Sequence, residues 1–256
     1  MSTFQRYIGI DYSGAKTSDD RLPGIQAYMA TGNSAPEHIN IHPRQHNWTR
    51  RELAEWLIDS LNSSDTPAIV GIDHGFSFPI SYMRERRLTA WNAFLLRFEK
   101  LWPLRNAGVC VDDIRFGKHP PPLGKRDALR ITEKWTSSAK SVFCFDARGS
   151  VAKSTLTGLS WLIDIRRRLK KNVFIWPYDG WLPPRGAHVI AEAYPSIFKR
   201  RYIYVTGNEH ARDAFVTARW LQDMDHRNAL QQYFQPFLTD EEKSTASIEG
   251  WILGVL

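Results

Sequence analysis

The stretch Ile8-Gly9-Ile10-Asp11 and its near-copy Val70-Gly71-Ile72-Asp73 decide the fold of this chain. Each is a short apolar run rich in β-branched residues and bounded by turn-forming residues, which is typical of a buried strand. A carboxylate at the end of such a strand needs a partner, because an unpaired charge is costly to bury. If the two strands are neighbours in one sheet, their aspartates lie about 5 Å apart and need a cation or a shared proton. The repeated pattern therefore predicts a divalent-metal site.

Length and composition predict a cytoplasmic protein with one elaborated domain over residues 1–256 and a large core. The chain has 256 residues, of which 43% are hydrophobic, including 10 Trp and 13 Phe. No run approaches the roughly 18 apolar residues that cross a membrane, and no signal peptide is visible. Cys110 and Cys144 are too few for a disulfide framework, so we interpret them as reduced thiols. We expect no membrane partner.

Positive charge dominates the chain and occurs in clusters. The net charge is +7, and the clusters are Arg84 to Arg87, Arg166 to Lys171, and Lys199 to Arg201. Such clusters attract a polyanion by counterion release, although any single cluster has an ordinary alternative as a solvated helix face. Basic clusters combined with an acidic metal site indicate a nucleic-acid partner and cleavage of a phosphodiester.

The first third of the chain predicts a mixed sheet. Strands are expected over residues 5–11, 25–30 and 38–42, with short connections between them. A helix begins after Thr49, with Glu52 three residues on as in a capping box. A fourth strand over 68–73 then returns to the sheet, and this order of strands and helix predicts mixed pairing.

The rest of the chain predicts further helices and two more strands. Helices are expected over residues 79–101, with Leu95 and Leu96 near the apolar face, and over 125–135 and 154–170. The segment 117–124, which contains Pro120 to Pro122, is predicted as an irregular loop. Short strands over 173–176 and 188–193 precede a last helix over 209–224, which Asn208 caps. The predicted fold class is α/β, with a largely helical insertion over about 80–170.

Two further acids stand at positions where they could join the aspartates. Glu192 ends a predicted strand, and Asp213 lies in the first turns of the last long helix, where the helix dipole stabilises a carboxylate. Alone, Glu192 could be a strand-edge surface residue and Asp213 an ordinary first-turn acid. Together with Asp11 and Asp73 they form a set of oxygen ligands suited to Mg²⁺ or Mn²⁺.

Five segments carry a family resemblance, in chain order. They are Ile8 to Lys16, Gly71 to Pro79, Glu192 to Pro195, His210 to Ala214, and Glu249 to Ile252. The pattern resembles the ribonuclease-H-like superfamily and, more closely, the predicted RNase-H-like nucleases of domain of unknown function 429. The first segment is also similar to that of Holliday-junction resolvase-like nucleases. The chain departs from RNase H itself in having no acid for the second position in the first helix.

The resemblance implies a ribonuclease H-like mixed sheet flanked by helices. It also implies a nuclease that hydrolyses phosphodiester bonds of RNA or DNA with two metal ions. The implied catalytic metal ligands are Asp11, Asp73, Glu192 and Asp213, with Asp11 as the bridge and Glu192 completing the set.

Four other residues are candidates for substrate binding, namely Lys16, Lys153, Tyr194 and His210. Lys16 follows the first strand and could contact a phosphate, the alternative being an exposed loop lysine. Lys153 lies in the segment Gly149 to Thr155, which lacks the glycine before the lysine of a phosphate-binding loop and is interpreted as a loop that caps a helix. His210, one turn before Asp213, is within reach of a proton-transfer role, or is a surface histidine.

Aromatic and histidine side chains near the motifs have two interpretations. Tyr194 and Trp251 could stack on bases or pack in the core. His74, directly after Asp73, could support that ligand or be a turn residue.

Two other classes of function compete with the nuclease. Sugar kinase and actin-type ATPases share an Ile-Gly-Ile-Asp strand, but their phosphate loop is richer in Gly and Thr, and they need two such domains. The third possibility is a nucleic-acid-binding protein without catalysis.

Overall fold

The computed structural model describes residues 2–41, 47–136, 138–147, 149–204 and 207–256. Its strands are β1 (Arg6–Asp11), β2 (Gln26–Thr31), β3 (Glu37–His38), β4 (Ala68–Asp73), β5 (Val173–Ile175) and β6 (His188–Glu192). They form one sheet in the order β3-β2-β1-β4-β6-β5. β2 pairs antiparallel with β1 and β3, whereas β1, β4, β6 and β5 run parallel. The predicted α/β class with a mixed sheet is confirmed.

The helices of the described residues pack on both faces of this sheet. They are α1 (Arg50–Asn62), α2 (Ile80–Glu85), α3 (Trp91–Leu101), α4 (Val111–Arg115), α5 (Ile131–Lys134), α6 (Ala152–Leu169), α7 (Glu209–His226), α8 (Leu230–Phe234) and α9 (Asp240–Glu249). Two predicted caps are confirmed. Thr49 and Glu52 form the capping box of α1, and the Asn208 side chain accepts a hydrogen bond from the backbone N–H of Ala211.

The alternation of side chains along β1 and β4 divides the core into two layers. Ile8 and Ile10 of β1 face one core layer, which also contains apolar residues of α1 and α6. Tyr7 of β1 and Ile69 of β4 face the other layer, together with Val216 and Trp220 of α7. The two layers bury β1 and β4 on both sides, which explains why these strands are apolar along nearly their whole length.

Two predicted helices are shorter than expected, each for a local reason. The predicted helix 79–101 is split into α2 and α3, because Arg87 between them adopts a left-handed backbone with φ of 55°, a conformation that ends helices. The predicted helix 125–135 is reduced to α5, since Arg130 has the extended backbone of an N-cap.

Two smaller predictions also change. Leu96 is 62% exposed and lies outside the apolar face of α3, whereas Leu95 is buried. The third strand is limited to Glu37–His38, and residue 42 of the predicted strand lies outside the described residues. The irregular segment 117–124 contains no helix or strand, as predicted.

Candidate functional site

Three of the four predicted acids meet at the carboxyl end of the two central strands. Asp11 ends β1, Asp73 ends β4, and the two residues are register partners in the parallel ladder. Asp213 lies in the second turn of α7, which covers this face of the sheet. One carboxylate oxygen from each of the three residues lies within 4.8 Å of the other two. We call Asp11, Asp73 and Asp213 the aspartate group.

Glycines in the repeated motif bring α7 close enough to form the aspartate group. A Cβ added to Gly9 would lie 2.1 Å from the backbone oxygen of Ala214 and 2.5 Å from the backbone nitrogen of Ala218. A Cβ added to Gly71 would lie 2.7 Å from Cγ2 of Thr217. Real Cβ atoms do not approach other atoms so closely, so α7 can rest here only on residues without side chains. The motif thus supplies both the carboxylates and the surface that positions Asp213.

Among the described residues, no arginine or lysine forms an ion pair with the aspartate group, and His210 is its only ion-pair partner. Burial, followed by repulsion from Asp11 and Asp213, raises the pKa of Asp73 well above its usual value. Burial also raises the pKa of Asp11, and it raises the pKa of Asp213 to about 6. One carboxylate oxygen of Asp213 is buried and has no hydrogen-bond partner among the described residues. Such a group favours a proton or a cation over the empty, fully ionised form.

His210 forms a hydrogen bond with the aspartate group. Its Nδ1 lies 2.8 Å from a carboxylate oxygen of Asp11, and 54% of its side chain is exposed. The hydrogen bond to Asp11 raises the pKa of His210, because the carboxylate stabilises the imidazolium. His210 therefore orients Asp11 and leaves part of its ring open to solvent.

The structure does not bring Glu192 into the aspartate group, contrary to the prediction that it completes the metal ligands. Glu192 is the register partner of Ile72 in β4, so its side chain projects to the face opposite Asp73. There it forms a two-bond ion pair with Arg130, at 2.7 Å and 2.5 Å. Its carboxylate also accepts a hydrogen bond of 3.0 Å from the backbone N–H of Phe76. Glu192 is thereby fully bonded within the protein.

Arg130, which sequence reasoning missed, is the centre of a second buried acidic cluster. The guanidinium is 1% exposed and also bonds Glu133 at 2.9 Å and the backbone carbonyl of Glu249 at 3.2 Å. The carboxylate of Glu249 accepts hydrogen bonds from the backbone N–H groups of Ile80 and Ile131. We call Glu133, Glu192, Glu249 and Arg130 the glutamate group. The only local signal for it is the Arg130–Glu133 spacing, since Glu192 comes from 62 residues away.

The two predicted substrate-binding lysines differ in their surroundings. Lys16 is exposed in the loop after β1, with a left-handed backbone of φ 51°. Lys153, at the start of α6, forms an ion pair of 2.5 Å with Asp112. The backbone of Lys153 nevertheless lies beside this loop, because a Cβ on Gly14 would meet its carbonyl group. Both lysines are therefore on the same edge of the sheet as the aspartate group.

The aromatic candidates lie mainly in the core. Tyr194 is partly buried, and its hydroxyl group is 2.9 Å from that of Ser138. Trp251 is completely buried, as its core interpretation predicted. His74 is also buried, on the opposite face from Asp73, and burial lowers its pKa to about 4.

Lys199 is a cation near the aspartate group that sequence reasoning placed only in a basic cluster. Its charge acts to lower the pKa of Asp11, Asp73 and Asp213. Its backbone carbonyl accepts a hydrogen bond of 3.4 Å from Arg212, the residue before Asp213. This contact holds the turn of Lys199 to Arg201 against the first turns of α7.

The Arg166 to Lys171 cluster lies away from the aspartate group. α6 begins beside Gly14 and is 18 residues long, so its basic end lies about 25 Å along the helix axis. Arg166, Arg167 and Arg168 are moreover paired with Asp179, Glu99 and Glu55. This cluster is therefore largely neutralised by acidic neighbours.

No protein-family model, curated protein or solved structure matches the chain. Across the described residues, no helix has the length and apolar character needed to cross a membrane.

Proposed function

We propose that the protein is a divalent-metal-dependent nuclease that hydrolyses phosphodiester bonds of RNA or DNA. The observation that carries this proposal is the aspartate group, in which three buried or half-buried carboxylates lie within 4.8 Å of one another and, in the part of the chain that the structure describes, pair with no arginine or lysine. Mg²⁺ and Mn²⁺ prefer such carboxylate oxygens. The resemblance of the Asp11, Asp73 and Asp213 segments to ribonuclease-H-like nucleases supports the same chemistry.

We also propose that the fold is ribonuclease H-like. An antiparallel β3-β2-β1 unit joined to parallel β4, β6 and β5 is in keeping with the mixed sheet that the resemblance implies. The carboxylates of β1, β4 and a late helix meet at one edge, as in that superfamily. The largely helical insertion corresponds to α2 through α6, between β4 and β5.

The donor set fits a hard cation. The unpartnered buried oxygen of Asp213 and the raised pKa values of all three aspartates are the properties expected of ligands that a metal ion stabilises. A bound metal ion would activate water and stabilise the charge of the phosphoryl transfer. The ligands proposed are Asp11, Asp73 and Asp213, and Glu192 is no longer among them.

The surrounding residues have roles that follow from their positions. His210 fixes the carboxylate of Asp11 and, with its exposed ring, can accept or donate a proton at the site. Lys199 supplies positive charge beside the aspartates, where a substrate phosphate is attracted. Lys16 is exposed on the same edge and is available to a neighbouring phosphate. A nucleic acid is therefore expected to approach along this edge.

The proposal is tested with labelled single-stranded and double-stranded RNA and DNA, an RNA–DNA hybrid and a four-way junction, each with Mg²⁺ or Mn²⁺. Wild type is compared with Asp11→Asn and Asp73→Asn, and with Asp65→Asn, which removes an exposed carboxylate at the other end of β4. We expect metal-dependent cleavage that both site variants lose by about 10³-fold, equivalent to several kcal/mol of transition-state stabilisation. Asp65→Asn should keep the activity.

Other outcomes would overturn the proposal and identify a competing class. Salt-sensitive nucleic-acid binding without cleavage in either metal would favour a non-catalytic binding protein. Protection from thermal unfolding by ATP would favour the sugar kinase and actin type.

A further inference from the structure

A small cavity lies in the core on the face of the sheet opposite the aspartate group. Ile10 of β1 and Ile72 of β4 form its wall towards the sheet, and residues of α1 and α6 form the opposite wall. Its polar lining consists of Tyr12, Arg50, His74 and Trp161. The cavity has a volume of about 10 Å³, which is room for a single water molecule or an ion of similar size.

Arg50 brings a positive charge to this cavity that no carboxylate of the described residues pairs with. Its side chain is 1% exposed, and its terminal nitrogens donate to the backbone carbonyls of Ser13, Ala15 and Lys16 at 2.7–3.0 Å. The acids that influence its charge, Asp19 and Asp20, are bonded instead to Arg51 and Thr17. A buried guanidinium that is held only by neutral carbonyl groups remains poorly compensated.

Three polar atoms of the residues lining the cavity are buried and have no hydrogen-bond partner in the described part of the chain. They are Nε of Arg50, Nε1 of Trp161 and the hydroxyl oxygen of Tyr12. The two nitrogens can only donate, and the hydroxyl group can donate as well. An occupant that accepts all three hydrogen bonds and carries negative charge would satisfy these atoms and Arg50 at once.

We propose that this cavity binds one small monovalent anion of the size of chloride or bromide. The anion accepts hydrogen bonds from Arg50, Trp161 and Tyr12 and neutralises the buried guanidinium. Because Tyr12 follows Asp11 and Arg50 holds the carbonyl groups of residues 13–16, the bound anion also stabilises the loop after β1. The proposal is independent of the nuclease function.

Crystals soaked in sodium bromide provide the direct test. Diffraction data collected at the bromine absorption edge should show an anomalous peak within hydrogen-bond distance of the three unpartnered atoms. Only water density in the cavity, with no bromine peak there, would overturn the proposal.

A second measurement in solution follows thermal unfolding in sodium chloride and in sodium gluconate at equal ionic strength. Gluconate is too large for the cavity, so we expect a saturable rise of the unfolding midpoint in chloride alone. Trp161→Phe removes one donor and should weaken the apparent chloride affinity by about tenfold, whereas Trp135→Phe, at a half-exposed tryptophan, should leave it unchanged. Equal midpoints in the two salts would contradict the proposal.

Discussion

Two clusters of acids lie at the end of β4, on opposite faces of the sheet, and in the described residues only one contains an arginine. In the glutamate group, Arg130 bonds Glu192 at 2.5–2.7 Å and Glu133 at 2.9 Å. In the aspartate group, Asp11, Asp73 and Asp213 have no arginine or lysine within ion-pair distance in the described residues, and only His210 bonds Asp11. The fully buried glutamates and the buried or half-buried aspartates therefore hold negative charge in two different ways.

The difference separates a structural role from a functional one. A buried carboxylate that is paired and hydrogen-bonded inside the protein has no capacity left for a ligand, and its removal damages the fold. Burial raises the pKa of Glu133 and Glu249 as well, so the difference lies in the partners. A carboxylate that has like-charged neighbours and no arginine partner is unfavourable in the isolated protein and gains most from an external cation. We therefore assign the glutamate group to stability and propose metal binding for the aspartate group.

The largest expected effect is on stability, in the glutamate group. Arg130→Met should lower the free energy of unfolding by about 3–5 kcal/mol, because it leaves Glu192 buried without its partner. Arg166→Met, which breaks the partly exposed pair with Asp179, should cost about 1 kcal/mol or less. Urea unfolding at pH 7.5 measures both values. Equal losses of stability in the two variants would contradict the structural role of the glutamate group.

The next largest effect is a loss of metal affinity, which we expect for substitutions in the aspartate group and not for those in the glutamate group. Asp73→Asn should weaken Mn²⁺ binding by at least about 100-fold, more than the loss of an outer-shell partner typically causes. Glu192→Gln should change the affinity by less than about threefold where the variant is folded, because Glu192 faces away from Asp73. Calorimetric titration with Mn²⁺ measures both affinities. A similar loss of affinity in both variants would indicate that Glu192 is also a metal ligand.

A smaller effect is expected from the histidine that orients Asp11. His210→Ala should weaken Mn²⁺ binding by about tenfold, as for other groups that position a metal ligand. His119→Ala, at an exposed loop position, serves as the control and should bind Mn²⁺ like wild type. Unchanged binding in His210→Ala would show that Asp11 is positioned without it.

The smallest effect is a gain of stability without metal. Asp213→Asn should raise the melting temperature by about 2–4 °C at pH 7.5 in a chelator, because it removes one charge from the aspartate group, and solvent screening limits the gain. The native pKa of about 6 exceeds the unfolded value of about 3.9, so wild type gains stability from this carboxyl as the pH falls through 6. The gain in the variant should therefore shrink as the pH falls through 6 and vanish only below the unfolded pKa of about 3.9. A variant that melts at a lower temperature than wild type at pH 7.5 would refute the prediction.

The aspartate group could be predicted from sequence because its signals are local. Strand propensity and a terminal acid identify Asp11 and Asp73, and the position of Asp213 follows from the cap at Asn208 and the helix it starts. The glycines of the repeated motif are also evident in the sequence, but their role in the close approach of α7 follows only when the helix is known to cover them.

The glutamate group could not be predicted in the same way. The direction of the Glu192 side chain depends on its register with Ile72, and one residue of shift would turn it to the other face. Arg130 lies at the N-cap of α5, within a segment that the sequence predicted as helix, and that prediction does not indicate where its side chain points. The position of Lys199 beside α7 likewise depends on a contact of its backbone with Arg212, which residue types do not reveal.

The site can form only after α7 has packed on Gly9 and Gly71. The hydrogen bond between Asp11 and His210 joins residues 199 positions apart, so the carboxylates of β1 and β4 lack their third member until α7 has been synthesised and docked. A nascent chain that has completed both strands therefore carries an unfinished site. The proposed hydrolytic activity would begin only when the sheet and its late helix have assembled, so that folding itself acts as the activation step.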